Sequence, residues 1–571
     1  MYIPRLIAFL ISVIILETPA HAEFCIPHRC TFGEKCWPDE HSWQALNATV
    51  GGRLIRSFPS AAVCHQGPSY DAQACDIAEK NWDNSFWRTN QSGAYSALVW
   101  EMGKYGQCYL DDFHQPCDQG RVPYYSVDAR SVEDIQFSVN FARDKDLYLV
   151  VKNTGHDHLG RSSGKGSFSI WTHHLKGIDW HDSFIPEGAA PETSGIPAVT
   201  IQPGEQWLDV YRAAAARNVI VVGGSARTVG AAGGYVLGGG HSPFAHYYGL
   251  AADNVLEMTI VSADGTHRTV NNNTDPDYFW ALRGGGGNAW GVLTSVTYKT
   301  HHVPQSFIIG WTQINTTSNE TFKKVAKQCL QLIPTITEAG FTGYANIEGG
   351  FSAIFVQPNG TLENFNKTFA PLEKLSNIPG VSAQMAAYPA SWDMYLDTFL
   401  KDPNIATNIQ DASRLLTADV LQNKTDELIE LILESGDGAG FNWNPISNEI
   451  ISDKSLVGQA NNDERDNTAV HEIWKQAHGV FSISTDWNDN ATAEEKHRKR
   501  EVMVHLSNRL TDIVGEDGGT YVNEANPYEP NWQQVFWGDK YQRLLSIKKR
   551  VDPTNLLVCN RCVGTDIILE P

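Results

Sequence analysis

The chain is predicted to fold as α+β, on three observations. Between Ala198 and Val222 a strand, a helix and a strand follow one another. Ala198-Val199-Thr200-Ile201 is strand-like and stops at Pro203-Gly204; Leu208, Tyr211 and Ala215 mark one helix face; Val219-Ile220-Val221-Val222 resumes as a strand. Near residue 303 the pattern changes to longer amphipathic helices, over 320–332 and 425–433, set among separate strands such as 351–356. Glycine gathers in three clusters, around 155–164, 230–240 and 284–291, each next to strand-like sequence.

In chain order, residues 1–22 carry Arg5, an apolar run from Leu6 to Leu16, and Ala20-His21-Ala22 before Glu23, the layout of a secretory signal peptide. The run is too short to span a bilayer. Residues 23–120 are rich in cysteine and aromatic residues and read as an irregular, disulfide-stapled segment without legible chemistry. A helix begins at Val132, with Ser131 as N-cap, Asp134 three residues later, and Val132, Ile135 and Val139 on one face. Leu147 to Val151 is a buried strand that opens into Lys152-Asn153-Thr154-Gly155-His156-Asp157-His158-Leu159-Gly160-Arg161-Ser162-Ser163-Gly164. Residues 254–261 and Ala263-Asp264-Gly265 read as a strand and a hairpin turn.

With 44 basic and 65 acidic residues the formal charge is −21, which argues against nucleic acid or an anionic membrane as partner. All ten cysteines lie beyond residue 22; disulfides are the expected state, Cys559-Asn560-Arg561-Cys562 included, with the pairing open. Asn47, Asn90, Asn272, Asn315, Asn319, Asn359, Asn366, Asn423 and Asn490 head N-x-[ST] sequons, which suits a glycosylated secreted protein.

The loop after Lys152 can turn sharply and approach a ligand with its main chain, and Lys152 and Arg161 favour an anion. Neither later glycine cluster fits a nucleotide-hydrolysing P-loop or an NAD-type turn. His156 and His158 have no further ligand cluster around them in sequence, so no metal is expected.

Asn153-Thr154-Gly155-His156-Asp157, the Gly233–Gly240 loop, and Asp275-Pro276-Asp277-Tyr278-Phe279-Trp280-Ala281-Leu282-Arg283 before four glycines resemble the vanillyl-alcohol-oxidase/PCMH-type FAD oxidoreductases. Tyr521-Val522-Asn523-Glu524, Trp532, Phe536-Trp537-Gly538 and Asp552-Pro553 extend the resemblance to their berberine-bridge-enzyme-like branch. Within it the chain looks like fungal isoamyl-alcohol-oxidase-like enzymes, some of which serve secondary metabolism.

The resemblance implies a two-subdomain FAD-binding domain over 121–302, an α+β substrate domain over 303–517 with an antiparallel sheet above the flavin, and a return to the first domain over 518–571. His156 stands where that family bonds the flavin covalently. Asn153, Thr154, Gly155, Asp157, Gly160, Arg161 and Ser162 would hold the cofactor from the first loop. Val229, Gly230, Gly233, Gly234, Gly238, Gly239 and Gly240 would do so from the second, and Asn523 from the carboxyl end. Relatives often attach the ring a second time through a cysteine; here that place reads Ala226, and no cysteine occurs between 118 and 328, so a single attachment is expected. Val229 matches the position that governs oxygen access. Tyr521 and Glu524 are the candidate proton acceptors. The implied function is a secreted oxidase passing a hydride from an alcohol carbon of a small molecule to FAD, with O2 reduced to H2O2. Flavin-dependent oxidative cyclisation and oxidation of a sugar at its anomeric carbon are the alternatives.

Overall fold

The computed structural model describes residues 28–103, 108–110, 116–400, 405–436, 439–444 and 467–565. Residues 1–22, where a signal peptide is expected, and Cys25 lie outside the described residues.

Four strands make the first sheet: β1 (Leu54–Arg56), β2 (Tyr125–Asp128), β3 (Leu149–Lys152) and β4 (Phe168–Trp171), in the order β1-β2-β4-β3. β2 and β3 both run parallel to β4, and the crossover between them is the helix Val132–Asp144. That helix starts in a capping box, Ser131 with Asp134, and buries Ile135, Val139 and Ala142. The box satisfies two N–H groups that the first turn leaves open.

Seven further strands follow: β5 (Ile178–Phe184), β6 (Ile196–Ile201), β7 (Val219–Ile220), β8 (Val255–Ser262), β9 (His267–Val270), β10 (Gly291–Lys299) and β11 (His301–His302). The order β5-β6-β10-β8-β9 is antiparallel throughout, and β7 and β11 form a short ribbon. The strand expected over 219–222 ends at Ile220; Val221 and Val222 are buried without entering a sheet. The helix Trp207–Ala215 buries Trp207, Val210, Tyr211 and Ala214, so of the face expected at Leu208, Tyr211 and Ala215 only Tyr211 is fully buried.

β12 (Phe307–Thr316), β13 (Thr342–Ile347), β14 (Gly350–Pro358), β15 (Val381–Ala390), β16 (Asn408–Thr417), β17 (Ala439–Trp443) and β18 (Ala477–Trp487) build one antiparallel sheet, β15-β12-β14-β13-β17-β18-β16. The strands read as separate in sequence thus share a single ladder. The helices Asn319–Glu338, Leu362–Glu373, Thr425–Ser435 and Ala493–Val514 cover one face through Phe322, Phe369, Ile432 and Leu506. Tyr344, Ser482 and Ser484 point to the other face.

The segment before Arg121 is more regular than its composition predicts. It holds helices Glu40–Thr49, Ala72–Lys80, Ser85–Thr89 and Val99–Met102, and supplies β1 to the first sheet. Its disulfides are local: Cys30–Cys36, Cys64–Cys75 and Cys108–Cys117. Short loops are closed at little entropic cost, which fixes turns and leaves the helices to cover the sheet. Among the described residues no helix is long and apolar enough to cross a membrane.

Candidate active site

β3 ends at Lys152 and the chain turns through Gly155, whose φ of +88° suits glycine. Lys152 is buried and donates to Gln91 O at 2.9 Å; burial pushes its ammonium down to about 7. Asp157 organises the loop that follows. Its carboxylate accepts from the N–H and hydroxyl of Ser162, at 2.6 and 2.7 Å, and from Leu159 N at 3.0 Å. The early segment braces the loop from behind: Ser96 N donates to Gly155 O at 3.0 Å and Tyr95 Oη to Ser162 O at 3.0 Å.

The loop forms one wall of a cavity of about 440 Å³. Asn153, Thr154, Gly155, His156, Asp157, Arg161 and Ser162 line it, as do Val229, Gly230, Gly233, Gly234, Tyr521, Asn523 and Glu524. Gly160, Gly238, Gly239 and Gly240, expected there from sequence, stand behind the wall. A methyl at Gly160 would strike Trp100, at Gly238 Asn523, at Gly239 Val470 and at Gly240 Tyr235. A side chain at any of these four positions would meet neighbouring protein.

His156 Nε2 is hydrogen-bonded to Thr228 Oγ1 at 2.7 Å, while Nδ1 has no hydrogen bond among the described residues. Burial, then the charges of His158 and Lys152, pull its imidazole down to about 3, so the ring is neutral. Arg161 donates to Asn560 O at 3.1 Å and Arg561 O at 2.7 Å, seating the Cys559–Cys562 disulfide loop beside the cavity. Burial lowers its guanidinium to about 10.

Tyr521 is almost wholly buried. Burial, and then the charge of Glu524, push its hydroxyl well above the ordinary tyrosine range. Asn523 Nδ2 donates to Tyr521 Oη at 2.8 Å and to Tyr235 O at 3.0 Å. Glu524 Oε1 lies 2.9 Å from His241 Nε2, and Oε2 has no hydrogen bond among the described residues. Burial opposes its charge, but the charge and hydrogen bond of His241, with the charge of His158, together hold the carboxyl below its usual range. Ser413 on β16 fixes this segment, its Oγ donating to Glu524 O at 2.8 Å.

The second wall comes from the large sheet: Tyr344, Gly440, Phe441 and Ser482. Behind it Asp411 on β16 accepts from His158 Nδ1 at 2.8 Å and from Ser484 Oγ at 2.6 Å. Burial opposes the imidazolium of His158, but Asp411, Glu524 and Asp157 together push it up to about 9. The His158 side chain lines the cavity and is 44% exposed, against 13% for Asp411, so solvent screens the pair in part.

Comparison with known proteins places this geometry. The family described as "FAD binding domain" matches residues 123–271, and "Berberine and berberine like" matches 520–563. An uncharacterized FAD-linked oxidoreductase of Arthroderma benhamiae is 55% identical, over 98% of this chain and 99% of its own. The chain belongs to the berberine-bridge-like FAD-linked oxidoreductases. The FAD-linked oxidoreductase patO of Aspergillus clavatus is 32% identical, over 94% of this chain and 92% of its own. The crystal structure of the VAO-type flavoprotein MtVAO713 from Myceliophthora thermophila C1 superposes with a TM-score of 0.84 at 28% identity, covering 95% of this chain and 98% of that one. The glucooligosaccharide oxidase of Acremonium strictum shares the fold, with a TM-score of 0.66 at 18% identity over 89% and 99% of the two chains.

FAD fits the cavity of this FAD-linked oxidoreductase. Asn153 and Asn288 line it, and the Oδ1 of each is buried without a hydrogen-bond partner among the described residues, an acceptor left for a ligand. A methyl on Gly234 would meet nothing within 4 Å, so its bare main chain faces the space.

Five residues of the site had no role legible in the sequence. Thr228 and His241 sit in or beside the second glycine cluster, and His241 directly follows Gly240; that adjacency was the available signal. His158 drew notice only as half of a possible metal pair. Asp411 and Ser484 have no local signature.

Proposed function

We propose that the protein is a secreted oxidase whose FAD is attached once, through His156. It takes a hydride from an alcohol carbon of a small molecule and uses O2 as final acceptor, releasing H2O2. One observation carries the reading: a neutral imidazole stands on the wall of a glycine-lined cavity with Nε2 engaged and Nδ1 unspent. A neutral ring nitrogen is the form able to make a covalent bond. Ala226 on the same cavity supports a single attachment, since no thiol stands there. Cys329 is buried in the helix-covered core of the large sheet, away from the cavity. Val229, also on the cavity, supports access for oxygen.

FAD, when bound, supplies the hydride acceptor. The chain must take the hydroxyl proton. Glu524 is the better acceptor, because its carboxyl is held ionised and Oε2 is open. Tyr521 is the weaker one: burial outweighs the hydrogen bonds that its hydroxyl receives from Asn523 and from the main chain of His241 and Gly240. Secretion and N-linked glycans are supported by four local disulfides and by the exposure of every sequon asparagine except the half-buried Asn47.

The test is acid precipitation of the purified protein, followed by oxygen uptake with a panel of primary, secondary and aryl alcohols and sugars. Yellow colour retained in the pellet, with uptake on an alcohol, is expected. A colourless pellet removes the covalent link. Uptake confined to sugars moves the reading to a carbohydrate oxidase.

A further inference from the structure

We propose that His158, held by Asp411, is a second catalytic group of this site, donating Nε2–H to the oxygen of the substrate hydroxyl whose proton Glu524 Oε2 accepts. This rests on the oxidase reading above. Two carboxylate–imidazole pairs meet at the cavity. In one, Asp411 accepts from His158 through Oδ2 and from Ser484 through Oδ1, at 2.8 and 2.6 Å. Asp411 spends a hydrogen bond on each oxygen and is not among the residues that line the cavity, so it orients the ring. In the other, Glu524 Oε1 and His241 Nε2 are 2.9 Å apart.

Each pair leaves one atom without a hydrogen bond among the described residues: His158 Nε2 and Glu524 Oε2, on side chains that both line the cavity. One is a donor and the other an acceptor. An alcohol undergoing oxidation needs both, a donor for the oxygen as negative charge grows on it and an acceptor for its hydrogen. An ether or an unactivated C–H carbon has nothing to give the acceptor. The pairing therefore selects a substrate with a free hydroxyl at the reacting carbon.

The groups facing His158 set its charge. Asp157 lies on its own loop, Asp411 on β16 and Glu524 on the carboxyl-terminal return; all three favour the imidazolium against burial. In the step itself the hydroxyl proton passes to Glu524. The C–H hydrogen leaves with its electron pair to oxidised FAD, the C–O bond becomes C=O, and His158 keeps its proton throughout.

Two measurements on the flavin-loaded protein decide it. Diethyl pyrocarbonate attacks only unprotonated imidazole, and site-resolved peptide mass reads the modification of His158. With His158 titrating near 9, labelling should run about fiftyfold slower at pH 7 than at pH 9. Asp411→Asn should shrink that gap to a few-fold. Equal labelling at both pH values in the wild type, or an unchanged gap in Asp411→Asn, overturns the pairing.

The second measurement is anaerobic bleaching of the flavin by benzyl alcohol and the rest of the alcohol panel. His158→Gln should slow bleaching at least tenfold, with the flavin still bound and the alkaline limb of the pH profile removed. If Glu524→Gln stops bleaching while His158→Gln bleaches like wild type, the donor role falls and the oxidase reading stands. If no alcohol bleaches the wild type, both fall.

Discussion

Every residue from Asn153 to Ser162 except Gly160 lies against the cavity, whereas the opposing sheet reaches it through Tyr344 and Ala345 on β13, Gly440 and Phe441 on β17, and Ser482 on β18. The first wall is one uninterrupted stretch whose shape depends on turns and main chain. The second is assembled from side chains far apart in sequence and brought together by strand order. The difference separates two kinds of constraint. Holding a large invariant cofactor requires a continuous loop, while accommodating a particular substrate can be changed one strand residue at a time.

The largest expected effect lies on the first wall. His156→Ala should remove all flavin from the denatured polypeptide, read by acid precipitation and peptide mass. If colour still travels with the chain, the attachment is elsewhere. Next, Glu524→Gln should lower the rate of flavin reduction by about 10²–10⁴-fold while leaving the attachment intact. A loss of colour in that variant would mean that Glu524 holds the cofactor rather than taking the substrate proton.

Arg414→Met comes third. Arg414 and Glu529 form a fully buried ion pair, 2.9 Å apart at the closest, between β16 and the carboxyl-terminal return. Removing one partner should cost about 3–5 kcal/mol of stability in a denaturant melt. Gly234→Val projects an isopropyl group into the open space beside Gly234 and should weaken flavin loading with the melt unchanged. Tyr521→Phe should be smallest, about 1 kcal/mol in stability, with flavin reduction nearly unaltered. A loss equal to that of Glu524→Gln would transfer the base role to Tyr521.

Acid and alkali sharpen the contrast further. His158 is raised from 6.5 to about 9 in the folded chain. Its contribution is therefore fully present below pH 6.5 and is lost as pH rises through 9. Wild type and His158→Gln should differ in Tm near pH 6 and converge above pH 9.

The legibility of the two walls follows from the same geometry. Turn chemistry and an apolar strand run exposed the first loop in sequence, because the residues that act together are neighbours. The capping box at Ser131 was visible for that reason too. The sheet order β15-β12-β14-β13-β17-β18-β16 could not be read, because each neighbour is chosen by packing against the helices. The partner of His158 lies 253 positions away, at Asp411. Glycine density itself was ambiguous: Gly233 and Gly234 face the cavity, yet Gly238 to Gly240 are small to admit Asn523, Val470 and Tyr235. The helix face at Leu208, Tyr211 and Ala215 is off by one position, since Trp207, Val210, Tyr211 and Ala214 are the buried residues.

The bridge between Ala97 and Thr407, next to the contact from Ser96 to Gly155, has a practical side. Residues 96–98 are wedged between the loop at Gly155 and the residues just before the strand that carries Asp411, so the segment they belong to cannot be trimmed as an appendage. A shortened chain beginning at Arg121 would keep every motif by which its relatives are recognised and still lose the keel that holds its two halves in line.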